Sequence, residues 1–263
     1  MNRIAFIQDT HCGHRGGMTP PEYQFTFGRD GVWADLQRKG WEYITAAIDE
    51  LRPACGYRSC LLLGDLIDGR GEKNGGRELI TTDVGEQADM AVELPRYVAP
   101  QKDSYAMVYG TPYHAGKLLD HENKIADELH IPASRRGERL SVDVDGFVID
   151  IAHKIGGSGT ATGGDIALRH EQVNSHEWSV EHGFALPHLI VRAHVHRWRR
   201  LADNRPQVMV LPGMQLWTAF GAREVRRIVH FGFVAIDVEG ERIVQCHSRM
   251  MKLAEAKSRP VKM

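Results

Sequence analysis

The chain has 263 residues, of which 42% are hydrophobic and 25% are charged, a composition typical of a folded globular protein rather than a disordered one. No apolar run approaches the ~18 residues that a membrane span needs, and the first residues lack the pattern of a secretory signal. We therefore predict a cytoplasmic protein without a membrane partner. The formal net charge of −1 argues against a protein that coats DNA, although a local basic groove stays possible.

Helical and strand patterns alternate in the first half of the chain, and strands dominate the second half. Short apolar runs predict strands at 3–8, 60–63, 105–109, 147–152, 188–192 and 207–211, followed by a hairpin of 231–238 and 242–247. Helical patterns occupy residues 36–51, about 87–98, 117–129 and 165 to about 180. This order predicts a layered α/β fold, and the lack of any linker predicts a single domain over 1–263.

The polar residues that follow the predicted strands form the most informative pattern in the chain. Five strand ends in succession deliver a carboxylate or an imidazole: Asp9 with His11, Asp65, His114, His153, and His194 with His196. Ligands of layered α/β folds bind beyond the carboxyl ends of the strands. An Asp and a His two residues apart reach one ion, and a carboxylate from a second strand end bridges two ions about 3.5–4 Å apart. Mixed oxygen and nitrogen donors favour Mn, Fe, Zn, Co or Ni over Ca or Mg.

These segments resemble, in the same order, the motifs of the calcineurin-like metallophosphoesterases. The matching segments are Asp9-x-His11, Gly64-Asp65, Gly110 to His114, His153 and Ala193-His194-x-His196. The likeness is strongest to the small type found in phages and prophages, which often has a strand end like Leu211-Pro212-Gly213. The resemblance implies a four-layer α/β/β/α sandwich of two mixed sheets flanked by helices. It also implies two divalent transition-metal ions, most often Mn, with Fe, Zn, Ni or Co as alternatives.

The resemblance also implies a role for each matching residue. It assigns the first metal to Asp9, His11 and His196, the bridge between the metals to Asp65, and the second metal to His153 and His194. In the wider family an Asn completes the second site and the adjacent His protonates the leaving oxygen. This chain has Thr111 in place of that Asn, and His114 comes three residues later. His114 is therefore either the general acid or a ligand in place of the Asn, and both interpretations stay open.

Further residues are candidates for contact with the substrate or with the ligands. His14, Thr111, Arg197 and Trp217 are candidate substrate contacts. Plainer interpretations are a surface histidine for His14, core packing for Trp217, and a solvated charged face for the arginines at 192, 197, 199 and 200. Asp68 either orients a metal ligand or stabilises a turn before a glycine.

Two glycine-rich segments follow candidate ligands. Residues 69–86 follow Asp65, and because a loop of this length in a compact domain is usually functional or disordered, we predict an insertion at the active site that sets substrate preference. Residues 156–164 follow His153 and either offer backbone N–H groups to a phosphate or form the rim of the site. The histidines at 170, 176 and 182 lack the spacing of a helical zinc pair and are predicted to lie on the surface.

The function that the resemblance implies is hydrolysis of a phosphodiester or a phosphomonoester by a metal-bound hydroxide. Candidate substrates are a nucleotide, a cyclic nucleotide, a nucleic-acid end or a phosphoprotein, and the near-zero net charge favours small nucleotides or short ends over long duplexes. Two other hypotheses stay open: a binding protein of the same fold with a weakened second metal site, and a nucleic-acid-binding protein without turnover. The sequence does not indicate the oligomeric state.

Overall fold

Two β-sheets form the centre of the protein, whose computed structural model describes residues 1–25, 31–72, 75–99, 101, 104–116, 120–156, 164–218 and 229–252. The first sheet consists of β1 (Asn2–Ile7), β2 (Tyr57–Leu62), β3 (Tyr105–Val108), β4 (Arg136–Gly137), β10 (Phe231–Glu239) and β11 (Arg242–Met251), in the order β11-β10-β1-β2-β3-β4. The second consists of β5 (Arg139–Val144), β6 (Phe147–Ala152), β7 (Leu189–Arg192), β8 (Arg199–Leu201) and β9 (Gln207–Val210), in the order β5-β6-β7-β9-β8.

Both sheets are mixed, and each has a parallel centre. In the first sheet, β1 pairs in parallel with β2 and β2 with β3, whereas the hairpin of β10 and β11 joins β1 in antiparallel. In the second sheet, β6, β7 and β9 run in parallel between antiparallel partners at the edges. The carboxyl ends of β1, β2 and β3 therefore meet at one edge of the first sheet, and those of β6, β7 and β9 meet at one edge of the second.

Helices cover the outer face of each sheet. They are α1 (Gly31–Leu51), α2 (Val84–Val98), the short α3 (Pro112–Ala115), α4 (Asp120–Glu128) and α5 (Gly164–His182). Apolar residues of α1, α2 and α4, such as Ile44, Met90 and Ile125, share one buried cluster with Ala5 and Ile7 of β1. On the other side of the protein, α5 packs on the second sheet through Leu168.

The residues between the two sheets complete the layers. Because side chains alternate along a strand, Ile4 and Phe6 of β1 point away from the helices and join the buried cluster that also contains Phe147, Ile149 and Leu189 of the second sheet. The order of layers is thus helix, sheet, sheet, helix. This arrangement confirms the four-layer α/β/β/α fold that the sequence predicted.

The predicted strands and helices all correspond to observed elements, with shifted ends. Helix α2 begins at Val84 rather than near residue 87, because the side chain of Asp83 accepts hydrogen bonds from the backbone N–H groups of Gly85 and Glu86. Four elements were not predicted from the sequence. Of these, β4, β8 and α3 are short, and β5 alternates between exposed and partly buried residues. Of the predicted helix 117–129, residues 117–119 lie outside the described residues. No described helix is long and apolar enough to cross a membrane.

Candidate metal centre

The candidate site lies where the carboxyl ends of strands from both sheets meet. The segments after β1 and β2 run side by side, since the backbone N–H of Asp9 donates to the carbonyl of Gly64 over 3.0 Å. Two contacts join the sheets here: the backbone N–H of His194 donates to Oδ2 of Asp9 over 3.1 Å, and Nδ1 of His153 lies 2.6 Å from the carbonyl oxygen of Leu63. The second sheet therefore delivers its histidines directly onto the carboxylates of the first.

The side chains at this junction form three overlapping groups that could each hold a metal ion. The groups are Asp9 with His11 and His196, Asp65 with His153 and His194, and His11 with Asp65 and His114, the ligand atoms within each group lying within 4.8 Å of one another. Asp65 and His11 each belong to two groups. The structure thus brings all six predicted metal ligands and His114 together, with Asp65 in one group with His11 and in another with His153 and His194.

The backbone at the site adopts an unusual conformation. Five of the six predicted ligands have a positive φ: Asp9 (47°), His11 (43°), Asp65 (49°), His194 (71°) and His196 (49°). Residues other than glycine rarely adopt this left-handed region, because the Cβ atom crowds the following carbonyl. Each of these ligands therefore sits at a sharp bend that aims its side chain away from the line of its strand.

Two glycines allow the segments to approach closely. A Cβ atom on Gly110 would lie 2.2 Å from both the backbone nitrogen and Oδ1 of Asp65, and a Cβ atom on Gly213 would lie 2.5 Å from the ring of His196. Both distances are far shorter than a van der Waals contact. Any other residue at these two positions would push a predicted ligand out of place.

Hydrogen bonds fix the orientation of the ligand rings. Nδ1 of His11 lies 3.1 Å from Oδ1 of Asp68, and Nδ1 of His153 lies beside the Leu63 carbonyl. In each ring the second nitrogen is then the one available to an ion, the usual arrangement around histidine ligands of metals. Asp68, for which the sequence left two roles open, thus orients the ring of His11.

Mutual attraction between the carboxylates and the imidazoles sets their charge states. Burial raises the pKa of Asp65, but hydrogen bonds from His153 and His194 outweigh burial and hold that pKa well below its ordinary value. Burial lowers the pKa of His153, but the hydrogen bond and the charge of Asp65 outweigh burial and raise that pKa to about 9. Burial also raises the pKa of Asp9, and the neighbouring His196 and His153 more than reverse this effect. The ionised carboxylates thus favour positive charge at the site. A bound cation would supply that charge in place of the proton on His153, because a histidine that binds a metal must be neutral.

Two buried atoms at the site show that the residues present fit a metal ion. Within the described residues, Oδ1 of Asp9 and Nε2 of His11 are buried and have no hydrogen-bond partner. Leaving such groups unsatisfied costs about 1–3 kcal/mol each, and both belong to the group that contains His196. Carboxylate and imidazole donors together suit a divalent transition metal.

Thr111 and His114 make different contacts in the structure. The hydroxyl of Thr111 donates to Oδ1 of Asp65 over 3.0 Å and its backbone N–H donates to the same oxygen over 2.6 Å. Nδ1 of His114 lies 2.7 Å from the carbonyl oxygen of Asp68, so that carbonyl accepts its proton. Within the described residues, His114 groups with His11 and Asp65 and not with His153 and His194. Both roles that the sequence left open for His114, general acid and metal ligand, therefore stay predictions.

The other candidate substrate contacts, His14, Arg197 and Trp217, differ in how far they are buried. His14 is not a surface residue: it is buried, its Nδ1 accepts a hydrogen bond from the backbone of Gly16 over 2.9 Å, and its Nε2 lies 3.8 Å from Glu78. The reason is that the segment around Glu78 folds back over His14, a contact that the local sequence does not show. Arg197 and Trp217 are half-buried, and their contact with substrate stays a prediction.

Arg192 does not belong to a solvated charged face. It is buried at the end of β7, where it pairs with Asp150 of the neighbouring strand over 3.0 Å and with Glu171 of α5 over 2.7 Å. The charged residue at the end of this strand thus fastens α5 to the second sheet. Of the other arginines that the sequence placed on this face, Arg200 is exposed and Arg199 is half-buried.

One buried acid was missed by the sequence analysis. Glu122 of α4 is fully buried, and its carboxylate accepts hydrogen bonds from the backbone of Leu66 over 3.1 Å and of Gly110 over 2.6 Å. Burial and the nearby charge of Asp65 raise its pKa to about 7. Glu122 therefore holds together the two loops that carry Asp65 and Thr111. The polar sequence around it gives no signal of burial.

The glycine-rich segments lie close to candidate ligands. In the segment 69–86, the backbone of residues 78–80 pairs with residues 13–15, and the side chain of Gln87 bonds to both the N–H and the carbonyl of Gly69. The end of this segment is thus attached to the loop that carries His11. Of the segment 156–164, residues 157–163 lie outside the described residues. The predicted surface histidines at 170, 176 and 182 are all exposed.

Comparison with known proteins finds similarity among solved structures only. No family model and no curated protein matches the chain. The chain is similar to Vps29 from Entamoeba histolytica complexed with Zn²⁺ (10% identity, TM-score 0.47, covering 95% of this chain and 98% of that chain). It is also similar to an archaeal phosphodiesterase (10% identity, TM-score 0.46, covering 95% of this chain and 99% of that chain). A third similar structure is a predicted phosphoesterase from Streptococcus pneumoniae TIGR4 (11% identity, TM-score 0.35, covering 95% of this chain and 98% of that chain). At these identities and TM-scores, the likeness does not indicate what this chain does.

Proposed function

We propose that the protein is a metal-dependent phosphoesterase that hydrolyses the phosphate ester of a nucleotide, a cyclic nucleotide or a nucleic-acid end. The observation that carries this proposal is the set of three overlapping groups of candidate ligands, two of which share His11 and two of which share Asp65. The buried Nε2 of His11, which has no hydrogen-bond partner within the described residues, supports it. The motif order that resembles the calcineurin-like metallophosphoesterases supports it. The likeness to the phage type stays a prediction.

The residues of the chain divide the work between holding ions and moving a proton. Asp9, His11 and His196 would hold one divalent cation, His153 and His194 would hold the second, and Asp65 would contact both. Bound cations would supply positive charge that neutralises the charge developing on the phosphoryl oxygens, and they would activate water. Manganese is our first expectation for their identity, with Fe, Zn, Ni or Co as alternatives.

His114 is the proposed proton donor to the leaving oxygen. The carbonyl of Asp68 holds its Nδ1 proton, which leaves Nε2 as the atom that can give a proton to a substrate. Its ring lies 4.6 Å from the ring of His11, and it shares a candidate ligand group with His11 and Asp65. We favour the acid role because in the family that the motifs resemble a His of this segment protonates the leaving oxygen, and the ligand role is the alternative that metal content tests.

The proposal is tested by a screen of phosphomonoesters, phosphodiesters, cyclic nucleotides and short DNA, with Mn²⁺, Zn²⁺, Ni²⁺ and Co²⁺ added in turn. We expect turnover of at least one class by the wild type. We expect Asp65→Asn to lose at least about 10²-fold in rate, because a neutral amide cannot neutralise two cations. Asp145→Asn, an exposed carboxylate remote from the ligand groups, serves as the matched control.

Metal content separates the alternatives in the same experiment. Two bound ions with turnover support the proposal. Bound metal without turnover of any substrate would favour the binding protein of the same fold. DNA binding that weakens with salt, without turnover and without metal dependence, would favour a nucleic-acid-binding protein.

A further inference from the structure

Gln87, in the first turn of α2, is fully buried beside the loop that follows Asp68. Its Oε1 accepts a hydrogen bond from the backbone N–H of Gly69 over 2.9 Å. Its Nε2 donates to the carbonyl of Gly69 over 2.9 Å and to the carbonyl of Thr81 over 2.8 Å. The amide therefore uses both of its donors and one acceptor on backbone groups of the segment 69–86.

The surroundings of this amide fix its direction. A turned amide would place the NH₂ group of Gln87 against the N–H of Gly69 and its oxygen against two carbonyls. Three attractive contacts would then become repulsive, so Oε1 must face the N–H of Gly69. The stem of the side chain is held as closely, since a Cβ atom on Gly13 would lie 2.3 Å from Cγ of Gln87.

The peptide group between Asp68 and Gly69 connects Gln87 to His114. The N–H of this peptide group donates to Gln87, and its carbonyl oxygen lies 2.7 Å from Nδ1 of His114. Gly69 also packs on His114, because a Cβ atom on Gly69 would lie 3.2 Å from the backbone oxygen of His114. Hydrogen bonds in a chain polarise one another, so the bond to Gln87 strengthens the carbonyl as an acceptor. Gln87 therefore acts on the ring of His114 through a single peptide group.

We propose that Gln87 is a positioning residue for His114, which it holds in the Nδ1–H tautomer through the peptide group of Asp68 and Gly69. The hydrogen bond made by one ring nitrogen determines which nitrogen of a histidine carries the proton. With the Nδ1 proton held by the Asp68 carbonyl, Nε2 is the nitrogen left for proton transfer to a substrate. The kinetic consequence rests on the proposed function, whereas the tautomer of His114 does not.

A purely structural role for Gln87 is the alternative, because its bond to Thr81 closes the segment 69–86 at its base. The two roles differ in what a substitution changes. Loss of loop closure alone would leave the tautomer of His114 as it is and would alter the rates on all esters alike. Loss of positioning would change that tautomer and would slow esters with poor leaving groups selectively.

Substitutions of two buried glutamines separate these roles. Gln87→Met removes all three hydrogen bonds and nearly conserves the side-chain volume, and Gln87→Asn, one methylene shorter, takes its place if the Met variant does not fold. Gln87→Glu keeps an oxygen that accepts from the N–H of Gly69. Gln172→Met is the matched control, since Gln172 is buried on α5 and donates to the carbonyl of Pro206 over 2.8 Å. Pro206 precedes the amino end of β9, whereas the candidate ligands follow carboxyl ends of strands.

NMR spectra that correlate ring carbon-bound protons with ring nitrogens report the tautomer of each histidine. The full chain is prepared with isotopically labelled histidine and measured at about pH 8.5 with a chelator, and His114→Ala identifies the signals of His114. We expect the Nδ1–H tautomer in wild type, Gln87→Glu and Gln172→Met, and a mixture of both tautomers in Gln87→Met. A wild type with the proton on Nε2, or a Gln87→Met variant with the wild-type tautomer, would overturn the proposal.

Rates with added metal test the consequence for the proposed activity. Gln87→Met should lose about 10-fold to 100-fold on esters with poor leaving groups and much less on nitrophenyl esters. Gln87→Glu should recover most of the wild-type rate, and metal content should be the same in every variant. A changed tautomer with wild-type rates on poor leaving groups, or an equal loss on both kinds of ester, would refute the positioning role. Absence of turnover in wild type would refute the proposed function alone, and the tautomer of His114 would still decide the role of Gln87.

Discussion

Replacement of Glu122 by Gln provides a test of how the loops around the candidate metal centre are held together. The carboxylate accepts one hydrogen bond from Leu66 and one from Gly110, and both donors are buried backbone N–H groups. An amide offers one accepting oxygen, so in Glu122→Gln one of these N–H groups faces an NH₂ group. A buried donor without its partner costs about 1–3 kcal/mol.

The pH dependence of this cost follows from the raised pKa of Glu122. Its ordinary value is 4.5, and burial with the charge of Asp65 raises it to about 7. The folded protein therefore prefers the protonated acid, which stabilises the fold fully below pH 4.5, and this contribution is lost as the pH rises through 7. Between pH 5 and 8.5 the loss is about 2–3 kcal/mol. Because Gln does not titrate, the deficit of Glu122→Gln relative to wild type should shrink by that amount over this range.

Urea unfolding of wild type and Glu122→Gln at pH 5, 6, 7 and 8.5, with a chelator present to remove metal ions, measures the difference in their free energies of unfolding. Glu128→Gln is the matched control: it makes the same chemical change on the same helix at a half-exposed residue and should alter stability by less than about 0.5 kcal/mol at every pH. In addition, metal affinity of Glu122→Gln should fall about 10–100-fold, as for other groups that position metal ligands. A deficit that grows with pH would mean that Glu122 is stabilised as the carboxylate, contrary to our reasoning.

Three further predictions follow from the site and the core. His114→Ala should lose about 10²–10⁴ in rate on esters with poor leaving groups and much less on nitrophenyl esters, with metal content unchanged; loss of a metal ion would contradict the acid role. Shortening residues 70–77 while keeping 78–80 should change relative rates on different substrates with little change in melting temperature, and a large drop would show a structural role. Asp237→Asn should cost about 3 kcal/mol in urea unfolding, because it breaks a buried pair with Arg3. Burial raises the pKa of Asp237, but Arg3 and His247 outweigh burial and lower it, so this deficit should shrink in acid; a deficit that is constant down to low pH would contradict the assignment.

The central strands were predictable because buried parallel strands consist of continuous apolar runs. The segment from Ile4 to Ile7 has no exposed side chain, and its sequence reads accordingly. Edge strands lack this signature: β5 alternates polar and apolar residues over a partly exposed face. Such strands are recognised only from their pairing partners, which lie elsewhere in the chain.

The candidate ligands were predictable for the same reason, since each follows a recognisable buried strand. The residues that support them were not. Glu122 lies in a polar helical segment, and His14 is covered by residues 78–80, which are distant in sequence. Arg192 did leave a signal: it ends one apolar run while Asp150 interrupts a neighbouring one, and two opposite charges in adjacent buried strands indicate an ion pair.

The left-handed backbone conformation at five candidate ligands is the feature of the site that no sequence rule would have indicated. It is also the feature that points most directly to a function. Glycine adopts positive φ without strain, yet five such positions in one cluster carry Asp or His instead. Outside that cluster, the described residues other than glycine show positive φ only at His130 and Asp145. Each such residue costs of order 1 kcal/mol or more and persists only where the surroundings fix it. Strain of this kind brings no gain in packing, so its concentration on the carboxylates and imidazoles that face one another indicates that these side chains are kept for a function rather than for the stability of the fold.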